Sequence, residues 1–210
     1  MAAMQPDSIL SAVERYYSTR FEEFGASARG VDWNSEETQE LRFDQLARLL
    51  RDDDDYSVND LGCGYGAFAT YLVRRGSTFT YTGYELSEAM LEHARESFEG
   101  LPDVRFQAGT SMASADYSVA SGIFNVKLAF GEEEWGAYVD ATLDALAGAS
   151  RKGFAFNMLT AYSDVEKRRD DLHYADPLAV FDRCKRRYAS HVALLHDYPL
   201  WEFTTVVRLQ

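Results

Sequence analysis

The sequence predicts an α/β fold: a doubly wound, mostly parallel sheet of seven strands that closes in an antiparallel C-terminal hairpin, preceded by a helical extension. Three observations predict it. From residue 57 onward, short runs of β-formers alternate with helical patterns, the arrangement that builds a parallel sheet covered by helices. Where the first of these strands should end, the chain reads DLGCGYG, residues 60–66, with glycine at every second position behind an acid. Near the C-terminus, HVALLHDYP and WEFTTVVRLQ are two strand-like runs joined by only a few residues. So short a connection cannot hold a crossover helix, so these strands pair antiparallel.

Each element follows from local pattern. PDSILSAVERYYSTRFEEF places Ile9, Leu10, Val13, Tyr16 and Tyr17 at helical spacing, with Asp7 as its expected cap. NSEETQELRFDQLARLL opens on Asn34 and Glu37, three apart as in a capping box, and repeats leucine at 41, 46, 49 and 50. GASARGVDW between them is a glycine-marked loop. SVNDL is the first strand, AFATYLVRR the helix after the glycines, and FTYTGYE the second strand. Ser87 caps EAMLEHARESF; VRFQAG and YSVASGIF are the third and fourth strands. The acidic start GEEEW suits a helix N-terminus and AYVDATLDALA continues it. GFAFNMLT is the fifth strand, and Asp176 followed by Pro177 starts the last helix.

A chain of 210 residues suits one domain, here 1–210, with 1–51 as an extension or substrate cap and 52–210 as the core. The formal net charge of −13 repels polyanions, so nucleic acid is not expected as a partner. Cys63 and Cys184 form no ligand-spaced pair, so neither a metal site nor a disulfide framework is expected. No signal peptide or membrane-length apolar run is seen, and the chain reads as cytoplasmic. Oligomeric state stays open.

In an open parallel sheet, ligands bind beyond the carboxyl ends of the strands. Glu85 ends the second strand about 20 residues past the last glycine, the distance at which an acid meets ribose hydroxyls. Strand, glycine turn, helix, strand and acid make a nucleoside site. The glycines alone also satisfy the dinucleotide pattern, with Ala67 in its last position, so an NAD(P)-dependent oxidoreductase is the alternative enzyme reading.

The acid before the glycines, their alternate spacing, YTGYELSEAML and the terminal hairpin resemble the class I S-adenosylmethionine-dependent methyltransferases, over roughly residues 40–210. The resemblance implies a Rossmann-like fold with S-adenosylmethionine as cofactor. It places Asp60, Gly62, Cys63, Gly64 and Gly66 around the cofactor, Glu85 on its ribose and Leu86 beside its adenine. Family members often carry an acid after the third strand for the adenine amino group; this chain has none, so the hydroxyl of Thr110 or Ser111 is expected to serve. Ser121 and Phe124, after the fourth strand, are expected near the transferable methyl. There is no Asn-Pro-Pro motif there, which disfavours DNA bases and protein glutamine as acceptors. A non-catalytic cofactor-binding domain of the same fold is a further alternative.

The expected activity is methyl transfer to an oxygen or nitrogen of a small molecule. This is an in-line displacement with a neutral thioether leaving group, so the protein must align the reactants and exclude water. The substrate side is expected in segments the motif does not use: Tyr16, Tyr17, Trp33 and Gln39 from the N-terminal part, and residues 157–177 as a lid carrying Tyr162. That segment also supplies the candidate catalytic residues His173, Tyr174 and Asn157, His173 being the candidate base. Lys167, Arg168 and Arg169 could draw in an anionic substrate, although a solvated basic run is the simpler reading.

Overall fold

The computed structural model describes residues 6–50 and 54–209, with side chains from residue 8 onward. Helix α1 spans Pro6–Phe24, and a 3-10 turn at Ala28–Val31 leads to α2, Glu36–Leu46, and a second turn at Ala47–Leu49. The alternating part follows: β1 Asp55–Leu61, α3 Ala67–Arg75, β2 Thr78–Glu85, α4 Glu88–Ser97, β3 Val104–Ala108, β4 Ala115–Ala120, α5 Glu132–Ala149 and β5 Ser150–Leu159. Helix α6, Pro177–Arg187, and the strands β6, His191–Leu195, and β7, Glu202–Arg208, complete the chain. Among the described residues, no helix is long and apolar enough to cross a membrane.

All seven strands form one sheet in the order β3-β2-β1-β4-β5-β7-β6. The first five pair in parallel; β7 runs antiparallel to both β5 and β6, with Phe154 opposite Val207 and Val192 opposite the same residue. The sequence order reverses at β1, so the crevice between β1 and β4 is where a ligand site belongs.

Apolar side chains fill both faces of the sheet. One face buries Phe43, Leu46, Phe68, Leu72 and Leu91 from α2, α3 and α4 against Val58, Tyr81 and Val119. The other buries Trp135, Leu143 and Leu146 of α5 and Cys184 of α6 against Phe154, Phe156 and Phe203. Each large side chain fully removed from water contributes roughly 1.5–3 kcal/mol, which ties the helices to the sheet more firmly than their propensity would. On the first face, Arg42 of α2 is buried against Glu202 of β7 in a fork of hydrogen bonds.

Two local expectations shift. The capping box of α2 is one residue later than the sequence suggested: Ser35 accepts from Thr38 N and its own N–H reaches the Thr38 hydroxyl. Ser87 sits at the head of α4, but its hydroxyl does not cap; it accepts instead from Ser18 Oγ at 2.8 Å, tying α1 to the β2–α4 turn. Helix α1 begins at Pro6, and the expected Asp7 cap lies outside the described side chains. The acid ahead of Pro177 does cap α6, its carboxylate accepting from Leu178 N and Ala179 N.

Candidate cofactor and acceptor site

At the end of β1 the chain must turn over the edge of β2. Gly62 and Gly64 adopt φ of +73° and +56°, which side-chain-bearing residues rarely tolerate. The Gly62 and Cys63 N–H groups both donate to Tyr84 O, pinning the turn to β2. Gly64 N then donates to Glu85 Oε2 at 2.9 Å, while Glu85 Oε1 accepts from Leu86 N at 2.7 Å and Ser87 N at 3.0 Å. Glu85 therefore fastens the glycine turn to the start of α4. Its two oxygens offer about four acceptor positions, so the three N–H donors leave room for another.

Above this turn lies a cavity of about 830 Å³, within the range of small-molecule sites. Of the sequence-derived cofactor set, Asp60, Gly62, Cys63, Gly64, Glu85, Leu86, Thr110 and Ser121 line it, joined by Tyr17, Trp33 and Gln39 from the substrate set. A Cβ on Gly64 would point at Val31 Cγ1, 3.2 Å away, and Met90 Sδ, 3.8 Å away, both cavity walls. Glycine keeps that cradle open. An open cradle, a carboxylate with acceptor capacity to spare and an apolar wall of Leu86 and Met90 fit a nucleoside with a diol.

The electrostatics are acidic and dry. Asp60 is buried, and that burial pushes its carboxyl up to about 7; the Tyr81 hydroxyl donating at 2.6 Å opposes the rise and the charge of Glu85 adds to it. Burial also raises Glu85, against the pull of its three backbone donors. The phenols of Tyr17 and Tyr138 are both raised by burial, Tyr138 to about 12, so at neutral pH they are hydrogen-bonding hydroxyls and not bases.

The remaining expected site residues lie elsewhere. Gly66 begins α3 at φ +87°, and a Cβ there would meet Phe98 at 2.9 Å and Phe106 at 3.1 Å, so this glycine serves packing. Ser111 is exposed beyond the cavity mouth. Phe124 is fully buried in the α5 face, its carbonyl accepting from Trp135 Nε1. Tyr16 turns to Asp32, donating at 2.8 Å, and Tyr162 is exposed beside His196.

The segment expected as a lid is stitched down. Thr160 bridges Ala175, Val126 bridges Leu172, and His173 N donates to Asn125 O. With its backbone paired this way it packs beside the sheet, and none of its residues lines the cavity. His173 Nδ1 lies 3.1 Å from Glu132 Oε2, and burial lowers its pKa despite that carboxylate. The Tyr174 hydroxyl accepts from Arg169 N. Asn157 is wholly buried: its Oδ1 accepts from Gly122 N at 2.7 Å and its Nδ2 donates to Ser121 Oγ, so it holds the β4 turn from below. Lys167 pairs with Asp164, Arg168 donates to Ala161 O and Ser163 O, and Arg169 pairs with Asp171.

The cavity walls that sequence reasoning missed come from α1 and α5. Ile9, Leu10, Val13 and Glu14 face Glu134, Ala137, Tyr138 and Ala141 across it. The helical spacing of the α1 residues was visible, but that spacing equally describes a helix packed on the core, and only the placement of α1 above the sheet edge distinguishes the two.

A parallel sheet with strand order reversed at β1, a seventh strand inserted antiparallel beside β5 and a glycine cradle closed by an acid define a Rossmann-like methyltransferase fold. Residues 58–153 match the model of a family described as "Methyltransferase domain". The chain is 55% identical over 162 residues to Rv1506c of Mycobacterium tuberculosis, a protein named as a candidate methyltransferase, covering 77% of this chain and 98% of the relative. Among solved structures, magnesium protoporphyrin IX methyltransferase (ChlM) from Synechocystis PCC 6803 with bound SAH superposes with a TM-score of 0.68 at 13% identity, over 94% of this chain and 99% of that one. A DhpI-SAM-HEP complex gives 0.65 at 15% identity, over 97% and 99%. This chain belongs to the class I S-adenosylmethionine-dependent methyltransferases, and its cofactor is S-adenosylmethionine, which excludes the oxidoreductase alternative.

Proposed function

We propose that this enzyme methylates an oxygen or nitrogen of a small molecule in the cytoplasm, with nucleic acid excluded as substrate. One observation carries the reading: the cavity that holds the glycine cradle and Glu85 continues into a trough between α1 and α5, walled by apolar side chains and acids. A polyanion would need a basic surface there.

In this reading Gly62 and Gly64 let the backbone approach the methionine part of the cofactor, with Asp60 beneath them. Glu85 accepts from the ribose hydroxyls while keeping its backbone donors, Leu86 and Met90 flank the adenine, and Thr110 stands at the cavity mouth near its amino group. When bound, the cofactor supplies an electrophilic methyl carbon on a sulfonium. The chain's task is to hold the acceptor in line and keep water out, with Trp33 and Ser121 as walls at the end of β4 and Asn157 positioning Ser121. His173 and Tyr174 take no part in this reading, because they do not line the cavity and bond Glu132 and Arg169 N instead.

Glu85→Ala is expected to weaken S-adenosylhomocysteine binding by about 1–3 kcal/mol, roughly 5- to 150-fold, read by calorimetry. Glu85→Gln should fall between, since an amide nitrogen cannot accept from Gly64 N or from a diol. An unchanged dissociation constant in both variants would take Glu85 off the ribose. The substrate reading is tested by incubating the enzyme with methyl-labelled cofactor and separated metabolite, nucleic-acid and protein fractions of a cell extract. Label is expected among the metabolites; label confined to nucleic acid or protein would overturn it.

A further inference from the structure

Among the described residues, the charged side chains lining the cavity are Glu14, Asp60, Glu85, Glu133 and Glu134; no lysine, arginine or histidine lines it. Nearby guanidinium groups are engaged elsewhere: Arg42 with Glu202 and Thr38 O, Arg169 with Asp171 and Asp32. Asp60 and Glu85 belong to the cofactor end, which leaves Glu14, Glu133 and Glu134 as the charges over the remaining space. A carboxylate or phosphate entering there would shed water without gaining a cation and would meet acids of its own sign.

The same space has an apolar body. Ala137, Ala141 and Ala145 follow one another at four-residue spacing along one face of α5, opposite Ile9, Leu10 and Val13 of α1. These alanines keep a trough open between the two helices, and they remain exposed in it. An apolar ligand laid there would cover both rows.

Resting on the small-molecule reading above, we infer that the acceptor is a non-anionic amphiphile: a hydroxyl, or an amine that enters as its ammonium ion and loses a proton before it reacts, carried on an apolar body that lies between α1 and α5. In the transfer, a lone pair of that oxygen or nitrogen forms the bond to the methyl carbon as the carbon–sulfur bond breaks. The pair of the broken bond stays on sulfur as a neutral thioether, and the methylated oxonium or ammonium product loses its proton to solvent on leaving through the open mouth.

Calorimetry on the full chain saturated with S-adenosylhomocysteine tests this with three matched probes: octylamine, octanol and octanoate. The amine, the alcohol or both should bind, telling the two nucleophiles apart, and octanoate should bind at least about tenfold more weakly. Ala141→Phe should abolish probe binding by filling the trough, while S-adenosylhomocysteine affinity and melting temperature hold. Ala145→Leu is the second variant if the first melts early. Octanoate binding as tightly as the other two, neither of those binding, or a folded trough variant that keeps the probes would overturn the inference. In the labelled-extract experiment, a methyl ester of a carboxylate or phosphate would overturn this inference but keep the small-molecule reading; label on nucleic acid or protein alone would remove that reading itself.

Discussion

Arg42→Ala is expected to lower the unfolding free energy by about 3–5 kcal/mol, the cost of leaving a buried charge without its partner. Arg42 is 5% exposed and Glu202 1%. The guanidinium Nε reaches Glu202 Oε1 at 2.9 Å and Oε2 at 2.8 Å, with Nη2 also on Oε1, and Nη1 donates to Thr38 O at 2.7 Å. Its flat face lies 3.8 Å from the centre of the Trp33 ring, which lines the cavity. The variant therefore strands Glu202, removes a second donor from the Thr38 carbonyl and loosens the cavity wall. Denaturant unfolding at neutral pH measures the loss, and a change below about 1 kcal/mol would mean that water reaches Glu202. Arg42→Met combined with Glu202→Leu should recover much of the stability, because it removes both charges together. That double variant should still lose acceptor turnover if the stacked guanidinium holds Trp33 in place.

The second large effect is on pH dependence. Burial raises the Asp60 carboxyl from 3.8 to about 7, so between those values the folded protein keeps a proton that the unfolded chain has lost. Stability then falls as pH rises through that window, by up to about 4 kcal/mol from this group alone. Glu85 is shifted in the same direction and adds to the slope with the same sign. Asp60→Asn removes the Asp60 contribution while its amide oxygen can still accept from the Tyr81 hydroxyl. The variant is expected to match the parent near about pH 4 and to exceed it near about pH 8, a difference read from unfolding curves at several pH values. Parallel profiles for the two proteins would show that Asp60 ionises normally in the folded state. A cationic ligand favours the ionised carboxylate, so S-adenosylmethionine affinity should rise across the same window in the parent and less so in Asp60→Asn.

Much of the architecture was legible because it is written in local periods. Spacing of three and four residues marked α1, an acidic start marked α5, alternation of helix and strand from residue 57 marked the parallel sheet, and a connection too short for a crossover marked the reversed final strand. The floor of the cavity was legible for the same reason: Asp60, Gly62, Gly64 and Glu85 lie on two adjacent βα turns whose geometry follows from chain order. Local pattern also misled. Glycine at every second position looked like one continuous cradle, yet Gly66 faces Phe98 and Phe106 rather than the cavity. Residues 157–177 looked like a lid by length alone, and backbone pairing across Val126 and Ala175 holds them down.

By itself the sequence determined the class of fold, the reversal that closes the sheet and the two turns that meet at the cavity floor, because each depends on residues close together in the chain. Only the tertiary structure decided that α1 and α5 share a trough, that Asn157 supports Ser121 from below, and that Arg42 meets Glu202 across 160 residues. Those pairings depend on how each helix is rotated and where each strand enters the sheet. That is settled by packing the whole core at once, and no local period records it.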